Sequence, residues 1–376
     1  MHLDLLIHPN FHLKRFYLRM FMQNKKKRIL TFSQAINEGL SLSMKKDKNV
    51  IIMGLGVDDP GGVFGTTKNL KEEFPKNRVF DLPTSENSFT GFAIGLALGG
   101  KKPIITHQRV EFSLLSMEQI INQAAKWLYM SAGKAAVPLV IRLIIGRGWG
   151  QGPQHSQSLE VLFSHIPGLK VVCPSTPFEA KGMLAQSIED KNPVIFFEHR
   201  WLHMTKGHVP KKFYKLPIGK TRIMKKGSDI TIVSFSYMLI ECLTINKILK
   251  ENKINSDIIN LCSLNPLEMK KIISSVRKTK KILVVDNGWK NYGIGAEIIA
   301  SINETLGGDE KITCQRIGVT QTPIPSTRSL AKFSYPDKKK IIKIIEKLTG
   351  KNIKTSKKFL SNVPIDQPDK SFLGPF

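Results

Sequence analysis

The residues of this sequence best placed to do chemistry gather around one glycine-rich loop, Gly146-Arg147-Gly148-Trp149-Gly150-Gln151-Gly152, which leads to His155. A dinucleotide fingerprint needs a helix opening on its glycines and an acid at the end of the next strand. Here Pro153 interrupts, the stretch Gln154-His155-Ser156-Gln157-Ser158 is polar, and no fitting acid follows. The loop reads better as a presenter of His155, an imidazole that can exchange a proton near neutral pH. The plainer reading is an exposed, hydrogen-bonded loop histidine. Glu86 alone reads as an acid favoured by a helix N-terminus. Phe112, just ahead of an apolar helical run, reads alone as core.

Several chemistries are missing from the text of the sequence. It has no GxxxxGK[ST] phosphate loop, no HExxH and no GxSxG nucleophile elbow. It also lacks a Gly-Asp-Gly followed downstream by Asn, a pattern that would hold a metal diphosphate. Cys173, Cys242, Cys262 and Cys314 are scattered without ligand spacing; they read as buried free thiols suited to a reducing compartment. The formal charge is +27 over 376 residues. Its lysines are spread in pairs and triples without interleaved aromatics, so a solvated basic surface or an acidic protein partner explains them better than nucleic acid. No apolar stretch approaches the ~20 residues of a membrane span.

These residues must be positioned by a scaffold, and the pattern supplies one. Apolar runs at 50–57, 78–82, 103–106, 138–145, 170–173 and 193–198 read as strands, with helices over 90–98, 114–130 and 177–188. After an aperiodic stretch the alternation restarts, with strands at 229–235, 256–261, 281–286 and 312–318 and helices at 238–251, 267–279 and 293–305. The fold class is α/β with two parallel-sheet domains. The expected organisation is a basic flexible extension over 1–28, a first domain over 29–205 and a linker over 206–225. A second domain covers 226–348 and a polar tail 349–376.

Read in order, several segments resemble the β subunit of the decarboxylating component of 2-oxoacid dehydrogenases, which shares its domains with transketolase. They are Arg78-Val79-Phe80-Asp81-Leu82-Pro83-Thr84-Ser85-Glu86, Thr90-Gly91-Phe92-Ala93-Ile94-Gly95, and Phe112 with Gln119-Ile120 and Asn122. The match continues through Gln154–Ser158, Ile166–Pro177 and Asn192–His199. The resemblance implies a thiamin diphosphate pyrimidine-type domain followed by a transketolase C-terminal-like domain. It places Glu86 against the aminopyrimidine ring nitrogen, where its carboxylate promotes loss of the thiazolium proton. It makes Phe112 the aromatic stacked on the pyrimidine and His155 the group facing the reacting centre. It also implies a structural monovalent cation, potassium, on backbone oxygens of Ile188, Asp190 and Asn192.

Three positions depart from the pattern. Gly54-Leu55-Gly56-Val57 lacks the usual acids, His107-Gln108-Arg109 stands where apolar residues are usual, and Asn260-Leu261-Cys262 replaces Asp-Leu-Arg. His107 and Arg109 therefore join His155 as expected substrate contacts, suited to a phosphate, a hydroxyl-rich sugar or an extra carboxylate. The resemblance implies a pyruvate dehydrogenase-like enzyme that decarboxylates a 2-oxo acid and passes the acyl unit to an acceptor such as lipoamide. An α-type subunit would hold the diphosphate and Mg²⁺ in an α2β2 heterotetramer, with a lipoyl acyltransferase as further partner. The alternatives are a transketolase-like subunit moving ketol units between sugars, or a non-catalytic regulatory protein on the same fold. The expected location is the cytoplasm, or the mitochondrial matrix if the basic N-terminus is a presequence.

Overall fold

Strands that are apolar on every residue belong in a sheet covered on both faces, and the central strands here are of that kind. In the computed structural model, which describes residues 28–147, 151–307 and 311–356, fourteen strands form three sheets. They are β1 (Ile29–Thr31), β2 (Val50–Gly54), β3 (Val79–Asp81), β4 (Lys102–His107), β5 (Val140–Ile145), β6 (Lys170–Val172) and β7 (Val194–His199). There follow β8 (Lys206–His208), β9 (Arg222–Lys225), β10 (Ile230–Ser234), β11 (Ser256–Asn260), β12 (Ser263–Asn265), β13 (Lys281–Trp289) and β14 (Thr313–Val319). The extension before residue 28, the tail beyond 356, and Gly148, Trp149 and Gly150 of the glycine-rich loop lie outside the described residues.

The larger sheet has the order β12-β6-β7-β5-β4-β2-β3, parallel except where β12 joins β6. The second sheet runs β14-β13-β10-β11-β9, parallel except at β9. Helices cover both sheets. The helix Pro177–Ile188 falls where the sequence places it, with Pro177 in its first turn and Thr176 and Glu179 completing a capping box. The helix Phe32–Lys46 starts in the same way, from Thr31 and Gln34, and packs against Pro177–Ile188. Cys173, Cys242 and Cys262 are buried, and Cys314 is half-buried.

Three sequence expectations are corrected. The helix expected over 90–98 begins at Glu86, because Ser85-Glu86-Asn87-Ser88 lacks the apolar spacing that periodicity detects yet suits a first turn. The helix expected over 114–130 is broken into a 3-10 stretch Val110–Ser116, a π-helical stretch Gln119–Ala124 and an α-helix Ala125–Met130. Its apolar period survives because each segment still turns one face to the core. The stretch 206–225 is more than a linker. It holds β8, which pairs with β1, and β9, an edge of the second sheet; both are too short to show alternation. Since β12 belongs to the larger sheet, the second half of the chain is stitched into the first.

Candidate active site

Parallel strands deliver their C-terminal ends to one edge of a sheet, where open α/β folds place ligands. Here the ends of β2, β4, β5 and β7 meet at such an edge. A cleft of about 420 Å³ opens there, lined by Gly62, Phe64, Gln108, Arg109, Phe112 and His155, together with Val63. Gly62 has φ +60°, and a Cβ on it would lie 2.6 Å from the Lys68 amide nitrogen, so only glycine permits this wall. Phe64 also takes a positive φ of 49°, a strained state for an aromatic residue that tends to mark functional sites. The Gln108 side chain donates to the Leu55 carbonyl at 3.1 Å, tying the turn after β4 to the turn after β2.

Phe112 and His155 meet across this cleft, edge to face, with ring centroids 5.7 Å apart. The His155 Nδ1 lies 3.9 Å from a Glu111 carboxylate oxygen, inside ion-pair range but too far for a hydrogen bond. The other Glu111 oxygen accepts the Gln157 amide at 3.2 Å. Burial raises the pKa of Glu111. Arg109 extends from the strand end with φ −141° and ψ 141°, and burial lowers its pKa.

Glu86 opens the helix Glu86–Leu98 and is 6% exposed. No side-chain hydrogen bond or ion pair reaches its carboxylate from the described residues; its carbonyl takes the Thr90 hydroxyl at 2.8 Å. It does not line the cleft of Phe112 and His155. Its helix does pack along the segment Val110–Ser116 that carries Phe112, so both belong to one edge of the sheet.

The structure does not bring His107 to the cleft. Its side chain points into the core, 1% exposed, with its ring 5.1 Å from that of Phe89. Burial without a compensating partner lowers its pKa to about 3. It is a neutral core histidine. The turn with Ile188, Asp190 and Asn192 lies at the opposite end of β7 from the cleft. There the Asp190 carboxylate accepts the Lys170 ammonium at 2.7 Å and the Asn192 amide at 3.0 Å.

Behind the cleft a buried ion pair fixes the strand ends. Arg142 on β5 and Glu198 on β7 are both fully buried and bond at 2.6 and 3.0 Å. Arg142 also donates to the Thr66 hydroxyl at 2.8 Å, and the His203 ring approaches Glu198 at 3.2 Å. Burial pushes the Glu198 pKa up, but Arg142 and His203 outweigh it and hold the carboxyl at about 2. The departure at Asn260 also has a structural reason. Its amide donates to both oxygens of buried Glu179 at 3.0 Å, and Arg222 pairs with the same acid. An aspartate in place of Asn260 would set two carboxylates together at this joint between the sheets.

Sequence reasoning missed two arginines at the same edge, Arg147 and Arg200, both buried. The available signal was position: each is a charge within two residues of the end of an apolar strand.

Two family models match the chain: "Transketolase, pyrimidine binding domain" over residues 29–205 and "Transketolase, C-terminal domain" over residues 219–341. The chain is similar to the acetoin:2,6-dichlorophenolindophenol oxidoreductase subunit beta of Cupriavidus necator, at 38% identity over 82% of this chain and 94% of that one. It is also similar to the pyruvate dehydrogenase E1 component subunit beta of Porphyra purpurea, at 38% identity over 84% of this chain and 96% of the other. The mitochondrial E1 subunit beta of Pisum sativum is 34% identical over 92% of this chain and 96% of its own length. Among solved structures, one titled "Split gene transketolase, inactive beta4 tetramer" shares the fold at TM-score 0.68 and 19% identity, covering 85% of this chain and 98% of its own.

Proposed function

Because the chain belongs to the transketolase-type family that includes the pyruvate and acetoin dehydrogenase β subunits, we propose that it is the pyrimidine-binding subunit of a thiamin diphosphate-dependent 2-oxoacid dehydrogenase-like enzyme. The observation that carries this reading is the cleft in which Phe112 and His155 face each other, with Glu86 buried at the same sheet edge and its carboxylate unpaired among the described residues. Those residues fit the cofactor: an apolar ring to stack on and, among the described residues, a carboxylate with no partner and an imidazole whose Nδ1 lacks a hydrogen bond.

When bound, thiamin diphosphate supplies a carbon nucleophile that adds to the carbonyl of a 2-oxo acid and then accepts the electrons released as carbon dioxide leaves. Glu86 holds a proton at the aminopyrimidine ring nitrogen, in a setting where partial desolvation strengthens that hydrogen bond. Phe112 packs on the ring and excludes water from one face. His155 offers a proton toward the substrate oxygen, with the Glu111 carboxylate in ion-pair range of the imidazole at 3.9 Å. Arg109 sits where an anionic part of the substrate would lie. A monovalent cation, potassium, held by backbone oxygens of Ile188, Asp190 and Asn192 would stiffen the far end of β7 and take no part in the chemistry.

The diphosphate and its Mg²⁺ fall to a partner. The sequence has no Gly-Asp-Gly…Asn pattern, so an α-type subunit in an α2β2 assembly completes the site. A surface for such a partner exists: Phe92, Leu114, Leu115, Tyr129 and Met130 are exposed on elements that pack together beside the cleft. The acyl unit then passes to a lipoamide-type acceptor on an acyltransferase. No helix among the described residues is long and apolar enough to cross a membrane, and we assign the enzyme to the cytoplasm or the mitochondrial matrix.

The test is reconstitution with the α-type chain, reading thiamin diphosphate binding by calorimetry and carbon dioxide release from 2-oxo acids. Glu86→Ala is expected to lower turnover by about 10²- to 10⁴-fold. Full activity of the isolated chain, or a pair that binds no thiamin diphosphate, refutes the proposal.

A further inference from the structure

The cleft wall formed by Gly62, Val63 and Phe64 is held in an unfavourable shape. Gly62 and Phe64 take positive φ of 60° and 49°, and a bulky side chain stays in that region only where its surroundings over-determine it. Several bonds behind the wall do so. The Thr66 hydroxyl donates to the Val63 carbonyl at 2.6 Å and accepts from buried Arg142 at 2.8 Å. The Thr67 hydroxyl accepts the Val63 amide at 3.0 Å. Asn37, on the helix Phe32–Lys46, donates to the Thr66 and Lys68 carbonyls at 3.1 and 3.0 Å. These bonds fix the backbone on either side of Phe64, not its ring.

The ring is met by His203, with centroids 5.3 Å apart and planes at 33°. His203 also packs on Phe32, at 6.0 Å. It is 2% exposed and does not line the cleft, whereas half-buried Phe64 does. The imidazole therefore stands behind the phenyl ring as seen from the cleft. Its backbone carbonyl accepts the Ser33 amide at 3.0 Å, and its Nε2 lies 3.2 Å from Glu198. Glu198 is ionised against Arg142 and can only accept, so Nε2 carries the proton. Nδ1 has no hydrogen-bond partner among the described residues. One bond to Glu198 and ring packing thus hold the imidazole in place.

We infer that His203 is a positioning residue that sets the depth of the cleft by backing the Phe64 ring, and so limits the size of the side chain a 2-oxo substrate can carry. The inference rests on the proposed function for the class of substrate alone. With His155 at the reacting carbonyl, the wall of Gly62, Val63 and Phe64 is left to meet the rest of the substrate. Close-packed interiors pass on a change of volume. Once the imidazole is removed, the Phe64 ring can retreat toward Phe32, and the cleft of about 420 Å³ deepens.

The full chain, paired with its α-type partner, is assayed with pyruvate and with 4-methyl-2-oxopentanoate. His203→Asn removes most of the ring and keeps an amide donor for Glu198. It should raise kcat/KM for the branched acid relative to pyruvate by at least ~10-fold, mainly through KM, since one methylene in an apolar pocket is worth about 10- to 200-fold. His203→Phe keeps a ring, loses the bond, and should retain the wild-type ratio. A merely structural role would lower the thermal midpoint of both variants and leave the ratio unmoved; that result, or an equal shift in both, makes the inference wrong. Hydrogen exchange of the full chain gives a readout apart from turnover. His203→Asn should speed exchange at the Val63 and Thr66 amides more than along β5, and unchanged protection there overturns the positioning role. A pair that turns over no 2-oxo acid while this exchange responds refutes the proposed function and not the positioning by His203.

Discussion

Replacing Glu160 by glutamine should stabilise the protein above neutral pH. Glu160 opens the short helix Glu160–Ser164 and is 1% exposed, with one carboxyl oxygen that has no hydrogen bond among the described residues. Burial raises its pKa to about 8, and the nearby charge of Asp286 on β13 adds to the rise. The sign follows from proton counting. Between the ordinary carboxyl value of 4.5 and about 8 the folded state holds a proton that the unfolded state has lost. The stabilisation is complete below the ordinary value and is lost as pH rises through that window. From roughly pH 6 to pH 8 the loss amounts to about 2 kcal/mol. Asp286, raised to about 6 by burial, contributes mainly below that range, so the upper window belongs to Glu160. Glutamine keeps the size and cannot ionise. The assay is the thermal midpoint of wild type and Glu160→Gln, measured at intervals from about pH 6 to pH 8. Wild type should fall across the range while the variant stays nearly flat. Parallel curves would show that Glu160 is ionised in the folded protein and would sink the reasoning.

Other outcomes follow from the scaffold around the cleft. Glu198→Gln leaves Arg142 buried without its counter-charge and should cost about 3–5 kcal/mol, read by urea or thermal unfolding; a change within experimental scatter would mean that the pair is dispensable. In wild type the same pair gives an acid limb. Because the Glu198 pKa is held at about 2, its stabilisation is present above the ordinary 4.5 and is lost as pH falls toward 2. Gly62→Ala adds a Cβ into the Lys68 amide at a positive φ. It should weaken cofactor binding with a stability loss of about 1–3 kcal/mol, whereas unchanged binding would show that this wall is not part of the site.

The first half of the fold was legible because its strands are buried on both faces and therefore apolar without interruption, as in Val140–Ile145 and Val194–His199. The helix Pro177–Ile188 was legible from its start signals, Thr176, Pro177 and Glu179. The short pieces were not. β8 pairs Lys206, Gly207 and His208 with β1 and buries little, so nothing in its side chains announces a strand. β12 is set by pairing partners far along the chain, and local pattern carries no such information. The π-helical stretch Gln119–Ala124 keeps an apolar face through a change of pitch, which a period count over a short window cannot resolve.

The site was legible unevenly, and the reason is geometric. His155 and Phe112 could be paired only through a resemblance, since 43 positions of sequence separate residues that meet at 5.7 Å. His107 and Arg109 looked equivalent as text, two basic residues flanking a glutamine. They diverge because β4 alternates its side chains across the sheet until it ends: His107, the last strand residue, is directed into the core beside Phe89, whereas Arg109 lies beyond the strand end in the cleft wall. Arg200 went unremarked for the converse reason, as it lies two residues beyond Glu198, where the strand read from the sequence ends. Only the parallel register of β5 with β7, which sets Ile145 beside His199, shows that Arg200 and the glycine-rich loop arrive at one place. A charge that follows an apolar parallel strand therefore belongs to the ligand edge of the sheet, and pairing register decides which such charges act together.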